Sequence, residues 1–407
     1  MKEGFWIILD EINLCPSEIL ESLNRLLDDN RELYIPELNK VIKANKNFRI
    51  FASMNPSENY IGRKDLSDAF KNRFIHLFFD NIPSDELSII IEKRCKIPFS
   101  RSKIMIDIFK ELQLIRSQEK IFMKNEGFIT IRDLIKWGNR DINSYEKLGI
   151  EGYILLAEKL SNKEDKDIVK KIIESHLKGK INLSKDYINN YYENYIKSKF
   201  FSEKKENDLK IKFTQSMNRI ITLIDKAISN HEAVLLIGET GTGKTLSVEY
   251  LSQIYNRKLI TINCHENMDT NDSLGSLRSN TNNTINNNDN SKDHNNNNNQ
   301  HNLFEWIDGP ITTSMKNGNF VLIDEIDLVL DSVLERMNSI FEADSVLVIS
   351  EKNINDNVEI IKPYQNYAII STICLKGNEA KKELSQIDLI KFFFNEILTK
   401  IFLFQFF

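Results

Sequence analysis

The chain has 407 residues, of which 41% are hydrophobic and 28% are charged. This size and composition are typical of a globular protein of two or three domains. The net charge of −5 gives no general reason to expect membrane binding or direct sequence-specific binding of nucleic acid. Four widely spaced cysteines without a CxxC pair favour a reducing compartment and argue against structural zinc: Cys15, Cys95, Cys264 and Cys374.

The chain begins with an apolar stretch, Phe5 to Leu9, that leads into two acids, Asp10 and Glu11. This is the form of a Walker B element at the end of a buried strand. In such an element the aspartate would hold the hydration shell of Mg²⁺ and the glutamate would polarise the attacking water. An Asp-Glu pair is a weak signal by itself, because such pairs are usually solvated.

An internal repeat strengthens that interpretation. Residues 9–37 align without gaps on residues 323–351, which is an offset of 324 − 10 = 314 residues. The alignment matches Asp10 with Asp324 and Glu11 with Glu325. Because repeats at domain-scale spacing indicate duplicated modules, we predict parts of two similar modules in tandem, with the first covering residues 1–80.

The rest of the first module contains two predicted helices, the second from Leu66 to Asn72, together with a hairpin and two further strands. The first helix spans Ser17 to Leu27, the hairpin follows, and the two strands run from Phe48 to Ser53 and from Ile75 to Phe79. Asn55 could orient a water molecule against a γ-phosphate, or it could simply form a turn with Pro56. Arg73 could act as an arginine finger, or it could form a surface salt bridge.

Residues 81–178 have helical patterns and are predicted to form a lid after the first α/β core. Residues 179–210 are rich in Lys, Asn and Tyr without a clear period, so we interpret them as a linker. A second core is expected at 211–385. The Asn-dominated tract 279–302 interrupts it and cannot bury apolar surface, so we predict a disordered surface-loop expansion, with a functional prion-like segment as the alternative.

The most specific motif in the chain follows the apolar stretch Ala233 to Ile237 and precedes a predicted helix. Its glycines let the backbone close around an anion, and the helix N-terminus adds positive potential. The lysine would reach the β- and γ-phosphates and the threonine would bind Mg²⁺. Eight residues fit the G-x-x-x-x-G-K-[ST] pattern of a phosphate-binding P-loop: Gly238, Glu239, Thr240, Gly241, Thr242, Gly243, Lys244 and Thr245.

Longer strings resemble the midasin family, giant dynein-like AAA+ ATPases of large-subunit ribosome assembly. The resemblance covers about residues 4–178 and 211–385 and implies an α/β fold, with P-loop AAA+ parallel-sheet cores in tandem and an α-helical lid domain. It also implies an ATP-driven motor that remodels pre-60S ribosomal particles in the nucleolus and nucleoplasm. The strings include Trp6 to Leu14, Leu23 to Glu32, Asn72 to Phe74, Leu235 to Gly241 and Asp331 to Arg336.

The resemblance also implies roles for individual residues. In the second module, Lys244 and Thr245 would form Walker A, and Asp324 and Glu325 would form Walker B. In the first module, Asp10 and Glu11 would be Walker B. Asn55 would be sensor 1, Arg73 the arginine finger and Arg132, in the lid, sensor 2. The implied cofactors are ATP and Mg²⁺, and the residues that would hold the metal are Thr245, Asp324 and Asp10. The implied partners are the other modules of the ring, the pre-60S particle and its assembly factors.

Several positions depart from the family pattern. Cys374 stands where the second module should have its sensor-1 asparagine, and cysteine is a weak hydrogen-bonding group. Residues 386–407 are rich in phenylalanine where a finger helix is expected; we interpret them as a truncated or misread gene end, with an amphipathic partner helix as the alternative. The chain by itself is therefore expected to bind ATP but to hydrolyse it barely. Alternatives are another dynein-like or MoxR-like ATPase and a degenerate, non-hydrolysing scaffold.

Overall fold

The chain folds, in the computed structural model, into two compact units. Met1–Leu87 form the first unit, and the described chain from Ser88 onward forms the second. The structure describes residues 1–10, 12–36, 39–54, 66–118, 129–177, 179, 181–200, 213–279, 304–342, 345–349, 352 and 359–374.

The first unit holds a parallel pair of strands, a hairpin and short helices. Leu9 pairs with Ala52 at the end of the parallel pair. A small core of Ile12, Leu20, Leu66 and Phe70 packs beside it. The predicted helix over 17–27 is interrupted at Leu23, which separates two shorter helices. In chain order the elements are β1 (Trp6–Leu9), α1 (Ser17–Ser22), α2 (Asn24–Leu27), β2 (Glu32–Ile35), β3 (Lys40–Lys43), β4 (Arg49–Ala52) and α3 (Asp68–Lys71).

The strand predicted from Ile75 to Phe79 is wrong for this structure. These residues have no regular secondary structure, and Ile75 and Phe78 are each 91% exposed. A strand is defined by its hydrogen bonds to a neighbour, and the parallel sheet described in the first unit consists of β1 and β4. The segment is apolar, as its sequence indicates, but an apolar composition does not supply a pairing partner.

The lid is helical, as predicted. Its centre is Trp137, which is fully buried and whose indole N–H donates to the Leu148 carbonyl at 3.1 Å. Gly152 lies against this ring so closely that a Cβ atom there would approach it to 2.4 Å, which explains the glycine. The lid helices are α4 (Ser84–Cys95), α5 (Phe99–Gln118), α6 (Ile131–Asn139), α7 (Tyr145–Leu156) and α8 (Lys163–His176).

The interpretation of 179–210 as a linker is wrong over most of its described part. Lys185–Phe200 form a helix, α9, which packs on α10 (Gln215–Ser229). Ile188, Tyr192 and Ile196 are buried and recur every four residues, so one face of α9 is apolar after all. The surrounding Lys, Asn and Tyr residues obscure that period in the sequence.

The second core is built on a parallel sheet of four strands in the order β5-β12-β9-β6. The strand β9 is buried on both faces: Phe320 and Leu322 enter one hydrophobic cluster, while Val321 and Ile323 enter another. The elements are β5 (Val234–Gly238), α11 (Lys244–Ile254), β6 (Leu259–Asn263), α12 (Thr270–Leu274), β7 (Gly275–Ser279), β8 (Phe304–Asp308), α13 (Pro310–Asn317), β9 (Phe320–Asp324), α14 (Asp331–Phe341), β10 (Leu347–Ile349), β11 (Glu359–Ile361) and β12 (Ala368–Cys374).

Two antiparallel hairpins extend the second core. The strands β10 and β11 pair with each other, and β7 pairs with β8 so that Ser279 faces Phe304. The Asn-rich tract joins β7 to β8; apart from Ser279 it lies outside the described residues, as does the tail 386–407. Among the helices that the structure describes, none is both long and apolar enough to cross a membrane.

Candidate nucleotide site

The candidate site lies where three parallel strands of the second core end. Gly238 ends β5, Asp324 ends β9 and Cys374 ends β12. The ladders pair Cys374 with Gly238 and Ser371 with Ile323. The carboxyl ends of parallel strands form one edge of a sheet, and open α/β sheets bind their ligands at that edge. The topology therefore brings the P-loop and the Walker B acids of this module to one edge.

The loop between β5 and α11 depends on glycine for its backbone conformation. Gly241 and Gly243 have φ angles of 80° and 86°, in the region that other residues rarely adopt. Apart from the adjoining residues, no heavy atom of the described chain lies within 4 Å of the place where a Cβ atom would be at either position. Glycine is thus required at 241 and 243 for conformation, and the loop leaves an open cradle on this side.

The ammonium group of Lys244 lies within this loop. Its Nζ donates to the carbonyls of Gly238 at 2.8 Å and Glu239 at 2.9 Å. The hydroxyl of Thr242 also donates to the Glu239 carbonyl, at 2.9 Å. Because α11 begins at Lys244, the helix N-terminus adds its positive potential to the lysine charge. This arrangement suits the phosphates of a nucleotide.

The two acids of the second module are held by a threonine that sequence reasoning did not identify. The Thr372 hydroxyl donates to Oδ1 of Asp324. The oxygen of this hydroxyl also accepts the backbone N–H of Glu325 at 3.1 Å. Glu325 has a left-handed backbone with a φ of 54°, which is uncommon for a residue with a side chain. A hydroxyl residue two positions before the sensor-1 position was the available signal.

A buried cysteine, Cys264, lies beside these acids. The backbone N–H of Cys264 donates to the Asp324 carbonyl at 3.0 Å. Burial, reinforced by the charges of Asp324, Asp327 and Glu325, raises the pKa of the Cys264 thiol to about 12. It therefore stays protonated at neutral pH and is no candidate for a nucleophile.

Only some of the site residues predicted in the first unit lie in the described part of the chain. Asp10 accepts a hydrogen bond from the Ser53 hydroxyl, whereas Glu11 and Asn55 lie outside the described residues. Arg73 donates from Nε to Oδ1 of Asp28 at 2.7 Å and from Nη1 to the Ala69 carbonyl at 2.5 Å. The salt bridge considered for Arg73 is therefore present, and its finger role stays a prediction.

Arg132 is half-buried in the first turn of α6. Its sensor-2 role also stays a prediction, carried by the resemblance alone.

The pairing of the strands can be compared between the two modules. Asp10 follows the pair Leu9–Ala52, so Ser53 lies level with it, just as Thr372 lies level with Asp324. Asn55 is two residues after Ser53, and Cys374 is two residues after Thr372. In sequence, Cys374 therefore follows its hydroxyl residue at the same distance as Asn55 does, and its assignment to the sensor-1 position stays a prediction.

The residues at this edge fit a nucleotide with a magnesium ion. The cradle of 238–243 and the ammonium of Lys244 would hold phosphate oxygens, and Thr245 lies in the first turn of α11, directly after the lysine. Asp324 supplies a carboxylate, the kind of oxygen ligand that Mg²⁺ prefers. Chemically, the arrangement can bind a nucleoside triphosphate and place an acid, Glu325, near its phosphates.

Comparisons with known families agree with this architecture. The AAA domain of the dynein-related subfamily matches residues 1–74 and 233–387. The midasin AAA lid domain matches residues 86–180. The first match covers both partial cores, and the second covers the helices that begin with α4.

The curated relatives are much longer than this chain. Midasin of Dictyostelium discoideum is 37% identical over 453 residues, covering 95% of this chain and 8% of that protein. Midasin of Giardia intestinalis is 35% identical over 423 residues, covering 95% of this chain and 9% of that protein. An uncharacterized protein of Staphylococcus epidermidis is 36% identical over 135 residues, covering 33% of this chain and 50% of that protein. The chain thus spans less than a tenth of the midasins it matches.

Proposed function

The chain belongs to the dynein-related AAA family and carries a lid domain of the midasin type, and from this premise we propose that its second module binds ATP with Mg²⁺. The observation that carries the proposal is the position of Lys244. Its ammonium lies inside the P-loop, at the sheet edge where Asp324 ends β9 and Glu325 follows it. A loop with two left-handed glycines and a half-buried positive charge at a helix N-terminus is suited to hold an anion.

Each residue of the site has a role in the proposed reaction. The backbone N–H groups of the loop and the Lys244 ammonium would bind the β- and γ-phosphates. Thr245 and Asp324 would hold Mg²⁺, which neutralises charge that develops on the phosphates. Glu325 would orient and deprotonate the attacking water. Arg73, Arg132 and Asn55 would act in sites shared between modules, in the finger, sensor-2 and sensor-1 roles.

We propose that the complete protein is a midasin-type motor that remodels pre-60S ribosomal particles and releases assembly factors in the nucleolus and nucleoplasm. Its partners would be the other modules of its ring and the particle itself. This rests on the similarity to the two midasins along 95% of the chain.

One observation favours a second function, that of a nucleotide-binding scaffold. Cys374 stands where the resemblance places the sensor-1 asparagine of the second module, and a thiol would orient water poorly. A module that binds ATP without hydrolysing it would hold its neighbours in place rather than drive them. Hydrolysis measured in the complete protein with and without Glu325→Gln separates the two functions.

The binding proposal is tested by Lys244→Ala, with Lys258→Ala as a matched control. Lys244 is half-buried in the loop, whereas Lys258 is exposed before β6. Labelled ATP should bind to the wild-type chain and to the Lys258 variant, and binding to the Lys244 variant should be lost. Equal binding by all three proteins would refute the assignment of the site.

A further inference from the structure

The hydroxyl of Thr372 makes two hydrogen bonds to the Walker B segment. It donates to the Asp324 carboxylate and accepts the N–H of Glu325. Its side chain is fully buried. One buried hydroxyl therefore joins the central strand β12 to both acids at the end of β9.

The same contact occurs in the first module, although the two modules differ in the number of residues between the Walker B aspartate and the hydroxyl residue. Asp10 and Asp324 are separated by 324 − 10 = 314 residues, whereas Ser53 and Thr372 are separated by 372 − 53 = 319 residues. The second module has five more residues in this interval, yet a hydroxyl residue again lies level with the aspartate. The Ser53 hydroxyl donates to Oδ1 of Asp10. Two versions of the module with different loop lengths thus keep the contact.

We propose that Thr372 is the residue that positions the Walker B acids of the second module, and that Ser53 does the same for Asp10 in the first. The inference rests on the proposed nucleotide site and concerns how the metal side of that site is arranged. Neither residue would touch the nucleotide; each would act through the aspartate.

The chemistry of a hydroxyl suits this role. A hydroxyl can donate one hydrogen bond and accept another at the same time, so Thr372 can hold Asp324 and the Glu325 backbone together. It is a neutral donor, so it orients the carboxylate without competing with a cation for its charge. The left-handed backbone of Glu325 is unfavourable for a side-chain-bearing residue, and the hydrogen bond to Thr372 fixes it.

The test compares ATP dissociation constants of purified chains in Mg²⁺ and in EDTA. Thr372→Val keeps the side-chain shape and removes the hydroxyl, while Thr372→Ser retains it. Ser371→Ala is the matched control, since Ser371 is equally buried on the same strand and its hydroxyl has no hydrogen-bond partner among the described residues. Thermal midpoints of all variants are measured alongside.

The affinity that the valine variant gains from Mg²⁺ should be lower than that of the wild type by about tenfold or more, the size expected for a lost hydrogen bond to a charged group. Its affinity in EDTA should stay within about twofold of wild type, because the P-loop contacts are made by other residues and stay unchanged. Thr372→Ser and Ser371→Ala should keep the full gain from Mg²⁺.

Two results would overturn the inference. One is a valine variant with the wild-type gain from Mg²⁺. The other is a parallel loss of affinity in Mg²⁺ and in EDTA with a lowered thermal midpoint, which indicates a structural role alone. Failure of the proposed function is distinguishable, because in that case the wild-type chain itself binds no ATP, or binds it equally well with and without Lys244.

Discussion

Nη2 of Arg140 lies 2.7 Å from Oε2 of Glu232, and the side chains are only 4% and 11% exposed. Nη1 of the same guanidinium lies 3.2 Å from Oε2 of Glu151, which also pairs with Lys226. Arg140 follows α6 of the lid, and Glu232 lies just before β5, the strand that leads into the P-loop. A buried ion cluster therefore joins the lid to the start of the second core.

Arg140→Met should destabilise the second unit strongly. Removing one partner of a buried pair leaves the other charges without compensation, and the usual cost is about 3–5 kcal/mol. Here Glu151 and Glu232 would both lose Arg140, and Glu151 would keep its pair with Lys226. The free energy of unfolding, measured by urea titration with the fluorescence of Trp137 as the signal, should fall by an amount in that range.

The control for Arg140 is Lys147→Met. Lys147 also pairs with an acid, at 2.5 Å from Oδ2 of Asp141, but these side chains are 51% and 60% exposed. Exposed pairs contribute little because water and salt screen them, so this variant should unfold nearly as the wild type does. A similar effect of both substitutions would show that burial does not decide the contribution of the Arg140 cluster.

Deleting Thr281 to Gln300 should leave thermal stability and ATP affinity nearly unchanged. The deletion leaves four residues, Asn280 and 301–303, between Ser279 and Phe304, which pair at the end of the hairpin β7–β8. A loop of four residues is a common hairpin connection, and shortening a long loop costs little free energy. A large fall in the thermal midpoint would show that the tract packs on the folded core.

The secondary structure of the cores could be predicted because local patterns specify it. The apolar stretch before Gly238, the glycine loop and the following helix indicated β5, the P-loop and α11. The stretch 75–79 has an equally apolar pattern and forms no strand, because pairing depends on a distant partner. The helix α9 was missed for the opposite reason, since its apolar face consists of three residues among many polar ones.

The motifs of the site could be predicted from the sequence, whereas the residues that support them could be predicted less well. A P-loop and two acids after a strand are local patterns, so sequence alone could propose Lys244 and Asp324. Thr372 reaches Asp324 because β9 and β12 pair in a particular register, and these two residues are 48 positions apart in sequence (372 − 324 = 48). The ion cluster of Arg140 depends in the same way on how the lid helices pack.

Acidification should weaken the second unit partly through Glu158. Burial raises the pKa of this carboxyl, but the Arg219 guanidinium, with Lys166 and Tyr192, lowers it by more, so the net pKa lies below its ordinary value of 4.5. A carboxyl with a lowered pKa stabilises the fold fully above the ordinary value, and this contribution is lost as the pH falls through the lowered one. Glu158→Gln should therefore lower the thermal midpoint at neutral pH but flatten its decline between about pH 5 and pH 3.

The comparison for Glu158 is Glu193→Gln on α9. Glu193 pairs with Lys197 on the surface, where its side chain is 50% exposed, so the decline of the midpoint with acid should keep its wild-type slope. If Glu158→Gln also kept that slope, the lowered pKa of Glu158 would not contribute to acid unfolding.

The last prediction concerns catalysis by the isolated chain, which should bind ATP and release phosphate very slowly. AAA+ sites are shared between modules, one supplying Walker A and B and another the arginine finger. Lys244 and Asp324 belong to the second module, whose finger would, by resemblance to dynein-like rings, come from the module that follows it, and residues 375–407 contain no arginine. By the same resemblance, Arg73 serves the site of the preceding module. A missing finger lowers the rate by about 10³–10⁵, and a thiol at Cys374 should lower it further.

Steady-state phosphate release at several chain concentrations tests this expectation. Turnover of about one per second, abolished by Glu325→Gln and independent of concentration, would contradict it, because the chain would then complete a site by itself. Turnover that rises with concentration would indicate self-association, in which Arg73 of one copy serves the P-loop of another. In that case Arg73→Lys should remove the activity while leaving ATP binding intact, because a lysine cannot replace the planar, bidentate guanidinium.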